Sequence, residues 1–149
     1  MIVRAKKGCQ DLLAASFLRR STRPSSVYIS DGTIYVVYGI GWGNAKLLFG
    51  ETTAVEILDD FGNLTTAPME LFEIICDQVY EGWRVRLIDD SVICWPELFF
   101  QKYFFDDLSE GVPEVVAAFK NLRANIDRHA QAVTVKGVGI LLTEVVKKC

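Results

Sequence analysis

The chain reads as an α+β domain, with an antiparallel sheet of about five to seven strands and three to four helices packed mainly on one face. Three observations predict this. Short runs rich in Val, Ile, Thr and Tyr are joined by Asp-Gly and Asp-Asp turns, the signature of hairpins. Apolar residues recur at helical spacing in several separate segments. No linker, low-complexity tract or internal repeat divides the 149 residues, so residues 1–149 are expected to form a single globular domain.

In chain order, residues 10–20 form a helix, with Leu13/Phe17 and Ala14/Leu18 at i,i+4 spacing. Residues 21–26, with Pro24, form a loop. Residues 27–30 and 33–38 read as a hairpin about Asp31-Gly32, and the second of these strands is apolar on both faces, which places it centrally in the sheet. Residues 45–49 and 53–58 read as further strands. Residues 66–80 read as a helix, with Thr66 as cap, Pro68 in the first turn, Gly82 as stop and an apolar stripe of Leu71, Ile74, Ile75 and Val79. Residues 83–88 and 92–95 form a second hairpin across Asp89, Asp90 and Ser91. Residues 113–129 form a helix started by Pro113, with Val115, Val116, Phe119, Leu122 and Ile126 on its stripe. Residues 132–136 read as a strand, and residues 139–148 fit either a strand or a helix.

Six of the seventeen aromatic residues lie within eleven positions: Trp95, Phe99, Phe100, Tyr103, Phe104 and Phe105. As a helix entered at Pro96, this segment carries Trp95, Phe99 and Tyr103 on one face and Phe100 and Phe104 on another. A helix that is apolar all round must be covered all round, so a second subunit or an apolar ligand is expected against it. An edge-covered core helix in a monomer is the plainer alternative.

Composition narrows the classes. Half the residues are hydrophobic and 23% are charged, which excludes disorder, and the mean hydropathy of +0.22 comes with no apolar stretch long enough to span a bilayer. The N-terminus carries basic residues, but Asp11 and Arg19-Arg20 bracket too short an apolar stretch for a secretory signal, so a cytoplasmic protein with no membrane association is expected. Cys9, Cys76, Cys94 and Cys149 form no Cys-x-x-Cys pair and suggest reduced thiols rather than a disulfide framework. The net charge of −3 is uneven, because residues 51–110 hold fourteen acids and three bases while both ends are basic. The ends can neutralise the centre internally, or the centre can present a negative surface to a basic partner. The acidic total disfavours nucleic acid despite Arg4, Lys6, Lys7, Arg19, Arg20 and Arg23.

No catalytic motif is present: there is no nucleophile elbow, zinc-protease helix or phosphate loop. His129 falls on the apolar stripe of its helix, and a Cys–His pair would need a cysteine to reach it in space. Residues 38–44, with Gly39, Gly41 and Gly43, resemble a phosphate cradle only in composition, and a flexible hairpin loop bearing Trp42 is the better description. The doublets Asp59-Asp60, Asp89-Asp90 and Asp106-Asp107 fit turn chemistry better than metal binding. Arg84 and Arg86 share one face of a strand and can clamp an anion, or pair with neighbouring acids. No metal or cofactor is implied.

These residues describe a non-enzymatic binding or regulatory protein with a protein–protein surface, expected to be a homodimer or to take a protein partner. Trp42, Trp95, Phe99, Phe100, Tyr103 and Phe104 are the candidate interface or pocket, and Arg84 and Arg86 the candidate anion site. The alternative is a protein that binds a small apolar or amphipathic ligand (a carrier, sensor or cavity enzyme) between sheet and aromatic helix.

Overall fold

A computed structural model describes residues 1–20, 27–45, 50–51 and 53–137. In order they form β1 (Ile2–Ala5), α1 (Cys9–Arg20), β2 (Ile34–Ala45), β3 (Gly50–Glu51), β4 (Ala54–Leu58), β5 (Leu64–Pro68), β6 (Phe72–Cys76), β7 (Trp83–Ile88), β8 (Ser91–Pro96), α2 (Phe104–Ser109) and α3 (Pro113–Gly137), with single 3-10 turns at Met69–Leu71 and Glu97–Phe100. The fold is α+β, an antiparallel sheet of seven strands and the two-residue β3 among the described residues.

The long β2 is the axis of the sheet. It pairs with β1 through Ile34–Val36, with β4 through Val37–Gly41 and with β8 through Ile40–Gly43; β5, β6 and β7 then flank β4, β1 and β8. This is the central position that its two apolar faces predict. A bulge in β2 adds one residue against β4, where Val37 pairs with Ile57 but Gly39 with Glu56. The extra residue reverses the alternation of side chains. Tyr35 and Val37 face the same core as Ile40, whereas Val36 and Tyr38 face the other.

The sheet therefore has two cores. The first face packs Val3, Val37, Val55 and Ile57 with Leu71, Val27, Ile29 and the α1 residues Cys9 and Leu13. The second face packs Tyr38, Leu58 and Leu64 against Phe99, Phe104 of α2, and Phe119 and Ile126 of α3. Two of the three helices among the described residues thus share one face. Burial of Phe99 and Phe104 to 2% exposure stabilises the fold by roughly 1.5–3 kcal/mol each.

Several sequence expectations are corrected. Residues 66–80 are not a helix: Leu64–Pro68 pairs along β4 and Phe72–Cys76 along β1, with one 3-10 turn between. Thr66, Ile74 and Ile75 are β-branched, and two waiting strand edges outweigh the apparent helical stripe. The aromatic run is not a helix either. Pairing with β7 and β2 keeps the chain extended through Pro96, a 3-10 turn follows, and Tyr103 is left-handed with φ 65° before α2 begins.

Residues 27–30 form no ladder. The partner of Ile34–Val36 is β1, whose Ile2-Val3-Arg4 register was not anticipated, while Gly32 supplies the left-handed turn residue. Residues 38–44 are strand rather than loop, and residues 132–136 continue α3 rather than forming a strand. The expectations for residues 21–26, 46–49 and 139–148 lie outside the described residues.

Candidate functional site

The anticipated β7–β8 hairpin is present, closed by Asp89 (φ 46°) and Asp90 (φ 65°). Two successive left-handed residues make a two-residue turn whose twist matches the strands, and aspartate tolerates that conformation better than most residues. Leu87 pairs with Val92, which pairs with Trp42 of β2; Val85 pairs with Cys94, which pairs with Ile40. Residues paired directly across an antiparallel ladder share a face. All six therefore lie on the first face, and they extend it from the core outward.

The inner end of this strip is covered: Trp83 and Ile40 are buried and Cys94 packs against the core. The outer end is open. Val85 is 69% exposed, Leu87 74%, Val92 40% and Trp42 41%. Single exposed apolar side chains are ordinary, but four in register across three adjacent strands form a contiguous patch.

The opposite face of the hairpin carries Arg84 and Arg86. Arg86 makes an exposed ion pair with Glu97, and its guanidinium lies 4.2 Å from the Phe100 ring centroid. The Arg84 guanidinium donates to the Trp83 carbonyl at 3.4 Å. Pairing with a neighbouring acid, the plainer alternative for these residues, is thus what Arg86 does.

The aromatic candidates divide. Phe99 stacks on Phe104 with centroids 4.9 Å apart, and both also meet Phe119. Both are enclosed in the second core. Trp95 contacts Phe99, Phe100 and Phe105 within this cluster. Tyr103 leaves the group altogether; its left-handed backbone turns the ring outward to 61% exposure, beside the Lys102 ammonium. The expected alignment of Trp95, Phe99 and Tyr103 fails because it presumed an unbroken helix.

Beneath Trp95 lies a polar group that sequence reading did not single out. Glu56 on β4 is buried, and both its carboxylate oxygens lie about 3 Å from the Thr66 hydroxyl (3.0 and 2.9 Å). Burial pushes its pKa up to about 7, against which the Thr66 hydrogen bond acts more weakly. The Trp95 Nε1 is also buried and has no hydrogen-bond partner among the described residues. The signal was a lone acid inside the apolar run Ala54-Val55-Glu56-Ile57-Leu58.

The other chemical candidates resolve into structural roles. The Cys9 thiol donates to the Ile29 carbonyl and the Asp31 carboxylate, and burial together with Asp31 pushes its pKa up to about 12. That is the reverse of nucleophile activation. His129 sits edge-on to Tyr80 at 5.7 Å. Asp59 accepts from the Phe61 and Asn63 amides, Asp60 accepts from Ser30 and Tyr35, and Asp106 and Asp107 open α2, so the doublets serve turns and helix ends. Among the described residues no helix is long and apolar enough to cross a membrane.

Comparison with family models, with curated proteins and with solved structures finds no match.

Proposed function

We propose that this is a non-enzymatic binding protein that works through a protein–protein surface, and that the surface is the open end of the sheet formed by Trp42, Val85, Leu87 and Val92. The observation that carries this is the register of the four exposed side chains across β7, β8 and β2. A second copy of the chain is the partner that fits first: homodimer interfaces are more apolar than ordinary surface, and a face-to-face contact closes about a two-fold axis. Sedimentation across a micromolar concentration series tests it. A reversible dimer that Trp42→Ala weakens is expected, and a monomer at every concentration overturns the homodimer.

A second reading rests on Glu56. A buried carboxyl that titrates near neutrality beside an unpartnered indole N–H is the kind of polar anchor found in small-ligand sites. Here the protein carries an apolar or amphipathic molecule, and denaturing mass spectrometry of the gently purified protein should release a ligand that Glu56→Gln no longer retains.

A further inference from the structure

The outer edge of β7 is as informative as the face beside it. Among the described residues β7 pairs with β8 alone, so it is a sheet edge. In a hairpin closed by a two-residue turn, the closing pair Ile88–Ser91 is hydrogen-bonded, and hydrogen-bonded and open pairs then alternate along the ladder. Arg86–Ile93 and Arg84–Trp95 are bonded pairs, while Leu87–Val92 and Val85–Cys94 are open ones. The backbone N–H and C=O groups of Val85 and Leu87 must therefore point away from β8, toward the free edge. Trp83 is next in that phase, and its N–H does turn outward, to the Tyr80 carbonyl at 3.1 Å.

The edge thus offers two residues' worth of outward backbone donors and acceptors, flanked by two different surfaces. On the first face the side chains are Val85 and Leu87, continuous with Val92 and Trp42. On the second face they are Arg84 and Arg86. A strand added here would have its own side chains sorted the same way, apolar on one face and facing two guanidinium groups on the other.

That sorting disfavours a second copy of the same edge. Two-fold antiparallel pairing of β7 with itself sets Arg84 opposite Arg86 when centred on Val85, or Arg86 opposite its own copy when centred on Arg86, and a pairing centred on Leu87, free of that clash, is left with only Arg86–Ile88 of the strand. Like charges directly opposite destabilise a sheet, and charged edge residues are a common guard against self-pairing. Glu97, already against Arg86, shows which charge this face accepts. Asp89 and Asp90 lie beyond Ile88 at the turn, so the basic stretch is confined to Arg84–Arg86 and fixes where a partner's acids must fall.

We infer that the β7 edge is a strand-addition site for an extended protein segment that alternates apolar and acidic residues, its backbone pairing with Val85 and Leu87 and its acidic side chains facing Arg84 and Arg86. The inference rests on the reading of this end of the sheet as a protein-contact surface, and it deepens that reading by naming the partner's chemistry. It concerns the edge, whereas homodimer formation concerns the face.

The probe is a blocked seven-residue peptide, acetyl-Thr-Val-Glu-Val-Glu-Val-Thr-amide, titrated into the isotope-labelled full chain at low salt. The controls are the same peptide with lysine for glutamate, and the glutamate peptide N-methylated at alternate residues to remove its edge-facing donors. The glutamate peptide is expected to slow exchange of the Val85 and Leu87 amides and to bind at least about tenfold more tightly than either control. In Arg84→Glu/Arg86→Glu, exposed on the edge and checked for an unchanged amide spectrum, the preference should pass to the lysine peptide. Unprotected Val85 and Leu87 amides at millimolar peptide, or an unchanged preference in the double variant, would overturn the assignment. A chain that dimerises but ignores the peptide loses this inference and keeps the homodimer; a monomer that takes the peptide does the reverse.

Discussion

The Trp95 indole lies directly over Gly39. A Cβ on that glycine would overlap the indole Cδ1, come within 2.9 Å of Nε1 and lie 3.3 Å from the Glu56 side chain. Gly39 is thus the floor on which the aromatic cluster is laid, whereas a Cβ on Gly41 would meet only the Cδ1 end of Ile93 of β8, at 3.2 Å. Gly39 thus serves close packing between strand and side chain, and Gly43, at φ 129° against the Ser91 backbone, serves a backbone conformation and close approach that a side chain would oppose.

Gly39→Ala should therefore destabilise the protein by about 1–3 kcal/mol through overpacking. Urea unfolding measures the loss, and tryptophan emission should report a displaced Trp95. An alanine with wild-type stability would mean that the indole has room to move.

Phe99→Ala and Phe104→Ala should each cost roughly 3–5 kcal/mol, since both rings are fully enclosed. Tyr103→Ala should change stability by less than about 0.5 kcal/mol, because its ring is exposed. Chemical unfolding of the three variants separates core from surface within one aromatic run.

Glu56 makes stability depend on pH. Its folded pKa of about 7 exceeds the ordinary value of 4.5 because burial disfavours the carboxylate. Below about 4.5 the carboxyl is protonated in both states and carries no penalty. Between about 4.5 and 7 the unfolded chain releases this proton while the folded chain keeps it, so stability falls as pH rises, by on the order of 3 kcal/mol, and then levels off. Glu56→Gln should flatten that slope in unfolding curves taken across the window. An equal slope in both proteins would place the titration elsewhere.

The β7–β8 turn can be improved. Asp90 holds φ 65°, a region that glycine occupies without cost, and Asp-Gly suits such turns. Asp90→Gly should raise stability by up to about 1 kcal/mol, reduced by the greater freedom of glycine in the unfolded chain, and Asp90→Val should lower it. Thermal melts decide the order of the three proteins.

Much of the architecture was legible in the sequence, and the failures share a physical cause. The β7–β8 hairpin could be read from Asp89-Asp90 between β-branched runs, the central β2 from its two apolar faces, and α3 from the stripe through Phe119, Leu122 and Ile126. Each is a local signal. Residues 66–80 and the aromatic run misled because their conformation is set by partners distant in sequence. Ile74 pairs with Val3, and Trp95 is held extended by Arg84 across the ladder. Trp42 was identifiable as a contact candidate, but nothing local to Val85, Leu87 and Val92 distinguishes an open strand face from a covered one. Only the topology reveals that β7 is an edge and that the covering layer ends at Trp83 and Ile40.

The open end of the sheet is proposed as a contact surface between copies of this chain. Its most direct test is the native mass spectrum of the freshly purified protein beside that of Leu87→Asp, a change at a residue 74% exposed and therefore compatible with the fold. A dimer without added ligand mass is expected for the wild type, and a monomer with an unchanged circular dichroism spectrum for the variant. A wild-type monomer, or a variant that remains dimeric, would contradict it.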